Sequence, residues 1–91
     1  MNSMSFAEIA QDLKEGREIE FSYHGKHYSI TNSAGYWNFC CDTDEEVIKR
    51  ICPFDDKAKL VECISNLGID NVPLSMIFDE EKYDPQSVYI L

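Results

Sequence analysis

The hydrophobic positions near the N-terminus recur at intervals of three or four positions, which is the spacing of an amphipathic helix. These positions are Phe6, Ile9, Ala10 and Leu13. Ser5 and Glu8 form a capping box, in which each side chain can satisfy a free backbone N–H at the helix start. Gly16 follows as a stop residue. The pattern predicts a helix over about residues 6–15.

The next segments alternate polar and apolar residues at period two, which is typical of half-buried strands. The dipeptide His24-Gly25 separates two of them and suits a tight hairpin turn. A two-residue turn there would place Phe21 opposite Tyr28, with every apolar side chain on one face. A third, aromatic-rich segment follows at 36–41. We therefore expect a three-stranded antiparallel meander over about 18–41.

The second half of the chain favours helices. Thr43 and Glu46 match a second capping box, and Pro53 would end the helix that follows. Residues 73–83 fit either a helix or a strand. The remaining predicted elements are a helix over about 43–52, a helix over about 56–67 and a closing strand over 87–91. Together these elements predict an α+β fold in a single domain that spans residues 1–91.

The composition indicates where such a protein works. No stretch reaches the roughly 18 apolar residues that span a bilayer. The N-terminus shows no basic flank or apolar run typical of a signal peptide, so we expect a cytoplasmic protein. Four cysteines stand at positions 40, 41, 52 and 63, and in a reducing compartment they are expected to be free thiols.

The residues do not match the patterns of common catalytic or metal sites. Nucleophilic catalysis needs a nucleophile, a base and a group that orients the base, and no such motif stands out. The cysteine spacing lacks the close pairs of a zinc site, and the segment 42–53 lacks the glycine and closing glutamate of a calcium loop. We therefore expect no cofactor, no metal and no enzymatic activity. A small cysteine-dependent enzyme is an alternative, with Cys41 before a predicted helix start as its nucleophile.

The charge is the feature that departs most from an average protein. Asp and Glu number 17 against 8 Lys and Arg, so the formal net charge is −9. This balance argues against direct binding to nucleic acid or to an anionic membrane, and it favours a basic protein partner. The candidate partner-binding carboxylates are Asp42, Asp44, Glu45, Glu46, Asp55, Asp56, Asp79, Glu80 and Glu81. Tyr36 and Trp37 are candidate aromatic anchors, because aromatic side chains dominate interface energetics.

The first half of the chain carries a family resemblance. The pattern is Phe6-x-x-Ile9-x-x-x-Leu13-x-x-Gly16-x-Glu18-Ile19-Glu20-Phe21-x-Tyr23-x-Gly25-Lys26-x-Tyr28-Ser29-Ile30, followed by Gly35-Tyr36-Trp37-x-Phe39. Over residues 5–41 it resembles short acidic proteins of Firmicutes and their mobile elements. The resemblance implies a helix and a meander and carries over no functional residue. By size and charge alone, such proteins are similar to anti-CRISPR inhibitors of defence nucleases.

These observations lead to one expected function and its alternatives. We expect a non-catalytic protein that binds and inhibits a basic protein partner. If the partner is a nucleic-acid-handling defence nuclease, this chain would be an anti-CRISPR-like inhibitor. If the partner is a toxin, this chain would be its immunity protein. An accessory or homodimeric structural protein, paired through the edge of its sheet, remains an open alternative.

Overall fold

The computed structural model describes residues 4–91, and its elements form the α+β fold that the sequence predicts. The helices are α1 (Phe6–Lys14), α2 (Lys57–Ile64) and α3 (Leu74–Asp79), with a 3₁₀ turn at Pro85–Ser87. The strands are β1 (Ile19–Tyr23), β2 (Lys26–Ser33), β3 (Tyr36–Cys41), β4 (Glu46–Pro53), β5 (Gly68–Ile69), β6 (Val72–Pro73) and β7 (Tyr89–Ile90).

Helix α1 begins at the predicted capping box. The Ser5 side chain accepts a hydrogen bond from the Glu8 backbone N–H, and the Glu8 carboxylate accepts one from the Ser5 N–H. Ile9 and Leu13 lie on the buried face of the helix. Because capping and periodicity point to the same segment, local sequence is sufficient to define this helix.

The β1–β2 hairpin has the predicted register. Phe21 lies opposite Tyr28, and Ile19 lies opposite Ile30. His24 and Gly25 both have positive φ, at 51° and 79°, as a two-residue hairpin turn requires. The alternating pattern thus determines which side chains reach the core.

Five antiparallel strands form the main sheet, in the order β4-β3-β2-β1-β7. Phe21, Ile30 and Phe39 on one face of this sheet are fully buried, and Phe21 contacts Phe78 of α3 with ring centroids 5.0 Å apart. Burial of each such side chain contributes about 1.5–3 kcal/mol. The opposite face carries the half-buried polar side chains of the strands, among them Glu20 and His27.

The helix predicted over 43–52 is wrong, because this segment is strand β4. The chain turns at 42–45, and β4 then pairs along the whole length of β3. The Thr43 hydroxyl accepts a hydrogen bond from the His27 N–H instead of capping a helix. Without β4, the backbone groups of β3 at the sheet edge would lack strand partners. This long-range pairing outweighs the local capping pattern.

The remaining second-half elements agree with the prediction more closely. Helix α2 is shorter than the predicted 56–67, and Asp56 caps it by accepting a hydrogen bond from the Lys59 N–H. The segment left open at 73–83 contains helix α3. The closing strand is confined to β7, which pairs with β1. No helix within residues 4–91 is both long enough and apolar enough to cross a membrane.

Candidate functional site

The meander brings two turns to the same end of the sheet. Successive turns of an antiparallel meander alternate between the two ends, so the β1–β2 and β3–β4 turns are neighbours. The Asp42 N–H donates to the His27 carbonyl over 2.8 Å. The Lys26 ammonium donates to the Asp44 carboxylate over 2.7 Å. The acidic β3–β4 turn is therefore held against the β1–β2 hairpin.

A third segment reaches this end from the C-terminal part of the chain. The Asp84 N–H donates to the Ser22 carbonyl over 2.9 Å, next to the β1–β2 turn. The Asp79 carboxylate accepts from the Phe6 N–H over 2.8 Å, at the start of α1. Burial raises the pKa of Tyr28, and the charges of Asp70, in the β5–β6 turn, and of Asp44 act in the same direction, so both carboxylates lie within electrostatic range of this tyrosine. Asp70 and the segment 79–84 thus lie at the same end as the turn at 42–45.

We call this region the acidic end. It consists of Asp42, Asp44, Glu45, Glu46, Asp70, Asp79, Glu80, Glu81 and Asp84, all of which are exposed. Lys26 and Lys82 lie among these nine carboxylates, which leaves a formal local charge of −7. Most of the net charge of −9 is therefore concentrated at one end of the molecule.

Several carboxylates of the acidic end have structural partners. The hydrogen bond from Lys26 holds the pKa of Asp44 below its ordinary value, and the positive charge of Lys26 acts in the same direction. Asp42 accepts a hydrogen bond from the Ser29 hydroxyl, and Asp79 caps α1. Glu80 forms an ion pair with Lys82 at 3.6 Å.

The other exposed carboxylates are available to a partner. Within residues 4–91, Glu45, Glu46, Asp70 and Glu81 have no side-chain hydrogen bond and no ion pair. A basic surface could approach these groups without first breaking an internal contact. They are the part of the acidic end best suited to binding.

Two predicted contact residues lie at the opposite end of the sheet. Strand β4 runs away from the acidic end, and the Phe54 N–H beyond it donates to the Gly35 carbonyl in the β2–β3 turn. Asp55 and Asp56 follow directly, and Asp56 serves as the cap of α2. The predicted carboxylates therefore do not form one surface, and the structure brings together seven of the nine.

The expectation that Trp37 is an exposed anchor is wrong. Trp37 is only 1% exposed, its ring stacks on Phe54 with centroids 5.4 Å apart, and its indole N–H donates to the Phe54 carbonyl. Tyr36 on the adjacent position is 37% exposed, and the Arg50 guanidinium lies 4.6 Å above its ring. Tyr36 begins β3 next to the β2–β3 turn, so it lies away from the acidic end.

The polar face of the β1–β2 hairpin carries a hydrogen-bonded group that sequence reasoning missed. The Ser22 hydroxyl lies 3.0 Å from His27 Nδ1, and Glu20 Oε1 lies 3.2 Å from His27 Nε2. The cross-strand pairing of Ser22 with His27, already implied by the predicted register, was the available signal. Acyl transfer would also need backbone donors for an oxyanion, and the Ser22 N–H is already donated to the Ser87 hydroxyl. The contacts orient the imidazole on the sheet.

The four cysteines are free thiols, as predicted. Burial raises the pKa of Cys40, and the charge of Asp42 adds to this effect. Burial also raises the pKa of Cys52. A nucleophilic cysteine requires a lowered thiol pKa, so these two shifts run opposite to that requirement. Cys41, the candidate nucleophile, is buried beside Asp44.

Neither metal ligation by the described residues nor similarity to known proteins indicates a function for this chain. Among the side chains of residues 4–91, no group of three or more His, Cys, Asp or Glu is arranged to hold a metal ion. Comparison of the chain with protein-family models, curated proteins and solved structures finds no match. The charge and geometry of the chain are therefore the remaining indications of its function.

Proposed function

We propose that this chain is a non-catalytic binding protein whose acidic end docks on a basic surface of another protein. The observation that carries the proposal is the concentration of nine carboxylates at one end, four of which have no side-chain partner among residues 4–91. Clustered like charges cost folding stability through mutual repulsion, so a partner that neutralises them would relieve this cost. Such a contact would form rapidly and weaken with salt.

The class of partner follows from the chemistry of the acidic end. A group of exposed carboxylates resembles the phosphates of a nucleic acid in charge, so the complementary surface is a nucleic-acid-binding groove. A basic nuclease of a defence system would be inhibited by occupation of that groove, as with an anti-CRISPR protein. A toxin nuclease neutralised by an immunity protein would be bound in the same way. The small size of the chain and its net charge of −9 support this class, because both are similar to those of anti-CRISPR inhibitors.

The proposed location is the cytoplasm, where nucleases meet their substrates. Four free thiols in a chain of 91 residues suit a reducing compartment. Disulfides are the usual means of stabilising small secreted domains, and here twenty buried hydrophobic side chains form the core instead.

An affinity experiment with charge-reversed variants tests the proposal. The chain is immobilised, exposed to a bacterial extract at low salt and eluted with a salt ramp, and the retained proteins are identified by mass spectrometry. The test variant is Glu80→Lys/Glu81→Lys, at the acidic end. The control is Glu15→Lys/Asp55→Lys, at the opposite end. Glu15 directly follows α1 there, where Lys57 of α2 donates to the Lys14 carbonyl. Each reversal adds two charge units, so both variants change the net charge from −9 to −5.

The two variants separate a specific surface from general acidity. We expect the wild-type chain and the control to retain the same nucleic-acid-handling protein. The test variant should retain at least about tenfold less of it, because two contacts of up to about 1 kcal/mol each are replaced by repulsion. Added duplex DNA should release the retained protein, because it competes for the same groove. Equal loss of binding by both variants, or no effect of DNA, would contradict the proposal.

A further inference from the structure

Strand β4 leaves one side of the sheet unpaired. It occupies the edge position next to β3, and its residues 46–50 are all exposed. Two of them are apolar, because Val47 is 61% exposed and Ile48 is 44% exposed. An exposed strand edge with apolar side chains is a surface to which another strand can add.

The charges along this edge are arranged so that the strand complements itself. The segment Glu45–Arg50 has two acids, then two apolar residues, then two bases. When two such strands run antiparallel, Glu46 meets Lys49. Glu45, with a φ of 54°, belongs to the turn before β4 and lies outside the paired strand. The apolar centres Val47 and Ile48 meet each other. Within residues 4–91, none of these four charged side chains takes part in an ion pair.

A bulge in β4 makes this register compatible with the faces of the sheet. Val47 lies opposite Cys40 and Lys49 lies opposite Phe39, so Ile48 is an extra residue without an opposite partner. Glu46, opposite Cys41, therefore shares a face with Lys49, although three positions separate them. Residues that meet across a twofold axis perpendicular to a sheet must come from the same face. Glu46 and Lys49 fulfil this condition.

We propose that two copies of this chain pair antiparallel through β4, around a twofold axis between Val47 and Ile48. The pairing joins two five-stranded sheets into one sheet of ten strands. Each interface contains two Glu46–Lys49 contacts, flanked by Glu45 of each copy, which lies in the turn directly before β4. Opposite charges placed directly across neighbouring strands stabilise the pair, and the apolar centre is covered by its own copy.

The charge order favours this register over its neighbours. A register centred on Lys49 would place two lysines opposite each other, which destabilises the pair. A strand from an unrelated protein would need the same acid–apolar–base order to pair with β4 as favourably as a second copy does. The segment therefore specifies a second copy of this chain as its occupant. Because only one strand edge is shared, we expect an association that depends on concentration.

Sedimentation and light scattering of the full chain over a range of concentrations test the pairing. We expect the mass to rise from 10.5 kDa towards twice that value. Two charge-reversed variants each place like charges opposite one another, so each alone should remain a monomer. They are Glu45→Lys/Glu46→Lys and Lys49→Glu/Arg50→Glu. When these two variants are mixed, every contact becomes an opposite-charge pair, and a heterodimer should form. The mixture also shows that the variants are folded.

A control and three outcomes decide the proposal. Variant Glu80→Lys/Glu81→Lys has the same charge change as Glu45→Lys/Glu46→Lys but lies outside the segment, so it should dimerise like the wild type. A wild-type mass of 10.5 kDa at all concentrations would overturn the proposal and leave the edge to a strand of another protein. A dimer that both β4 variants retain would also overturn it, as would a mixture without heterodimers. None of these outcomes bears on partner capture by the acidic end.

Discussion

Replacement of Trp37 by phenylalanine tests whether this side chain is part of the core. The indole is 1% exposed, stacks on Phe54 and donates a hydrogen bond to the Phe54 carbonyl. Trp37→Phe removes part of the buried ring and the hydrogen bond. A large-to-small core change together with the lost hydrogen bond should lower the free energy of unfolding by about 2 kcal/mol. For a domain of this size, that corresponds to a melting temperature about 10 °C lower.

Thermal unfolding followed by circular dichroism measures this change, and the neighbouring position supplies the control. Tyr36→Phe replaces one exposed aromatic side chain with another and keeps the ring beneath Arg50, so its free energy of unfolding should change by less than about 0.5 kcal/mol. In the wild type, fluorescence of the single tryptophan should resist acrylamide quenching until the chain unfolds. A Trp37→Phe variant as stable as Tyr36→Phe would refute the burial argument.

Two further predictions concern residues with contrasting roles. Asp56→Ala removes the α2 cap and should lower the free energy of unfolding by about 1 kcal/mol. The control Asp55→Ala should change it by less than about 0.5 kcal/mol. Equal effects of the two variants in thermal melts would contradict the capping role of Asp56. Burial raises the pKa of Cys40, so its alkylation at neutral pH should be slower than that of free cysteine, and the rise of its alkylation rate with pH should be displaced to higher pH; peptide-resolved mass spectrometry measures both rates. Rapid labelling of Cys40 at neutral pH would contradict this raised pKa.

The first half of the fold could be predicted because its information is local. The capping box of α1 and the register of the β1–β2 hairpin depend on residues close in sequence. Strand β4 could not be predicted in the same way. Its bulges at Ile48 and Ile51 break the alternation that marks a strand, so that Ile51 and Cys52 are both buried. The Thr43–Glu46 pattern then favoured a helix, and only the pairing with β3 decides otherwise.

The candidate site shows the same division between composition and topology. The excess of acids in the second half is visible in the sequence, but the grouping of Asp44, Asp70 and Glu81 at one end depends on how the turns are stacked. The burial of Trp37 was partly foreseeable, since alternation places it on the face of Phe39. What covers it is Phe54, which lies beyond the end of β4 and has no local pattern that indicates this contact.

The two proposals share Glu45 and Glu46, and this overlap determines how they can coexist. In a β4-paired dimer, Glu46 would be neutralised by Lys49 of the second copy, and Glu45 would lie in the turn beside the paired strands. The remaining carboxylates of the acidic end, including Asp70, Glu80 and Glu81, do not belong to the paired segment and stay exposed. Because the paired strands run antiparallel, the two acidic ends point in opposite directions. Such a dimer would present two separate docking surfaces, and each could bind its own copy of a basic partner.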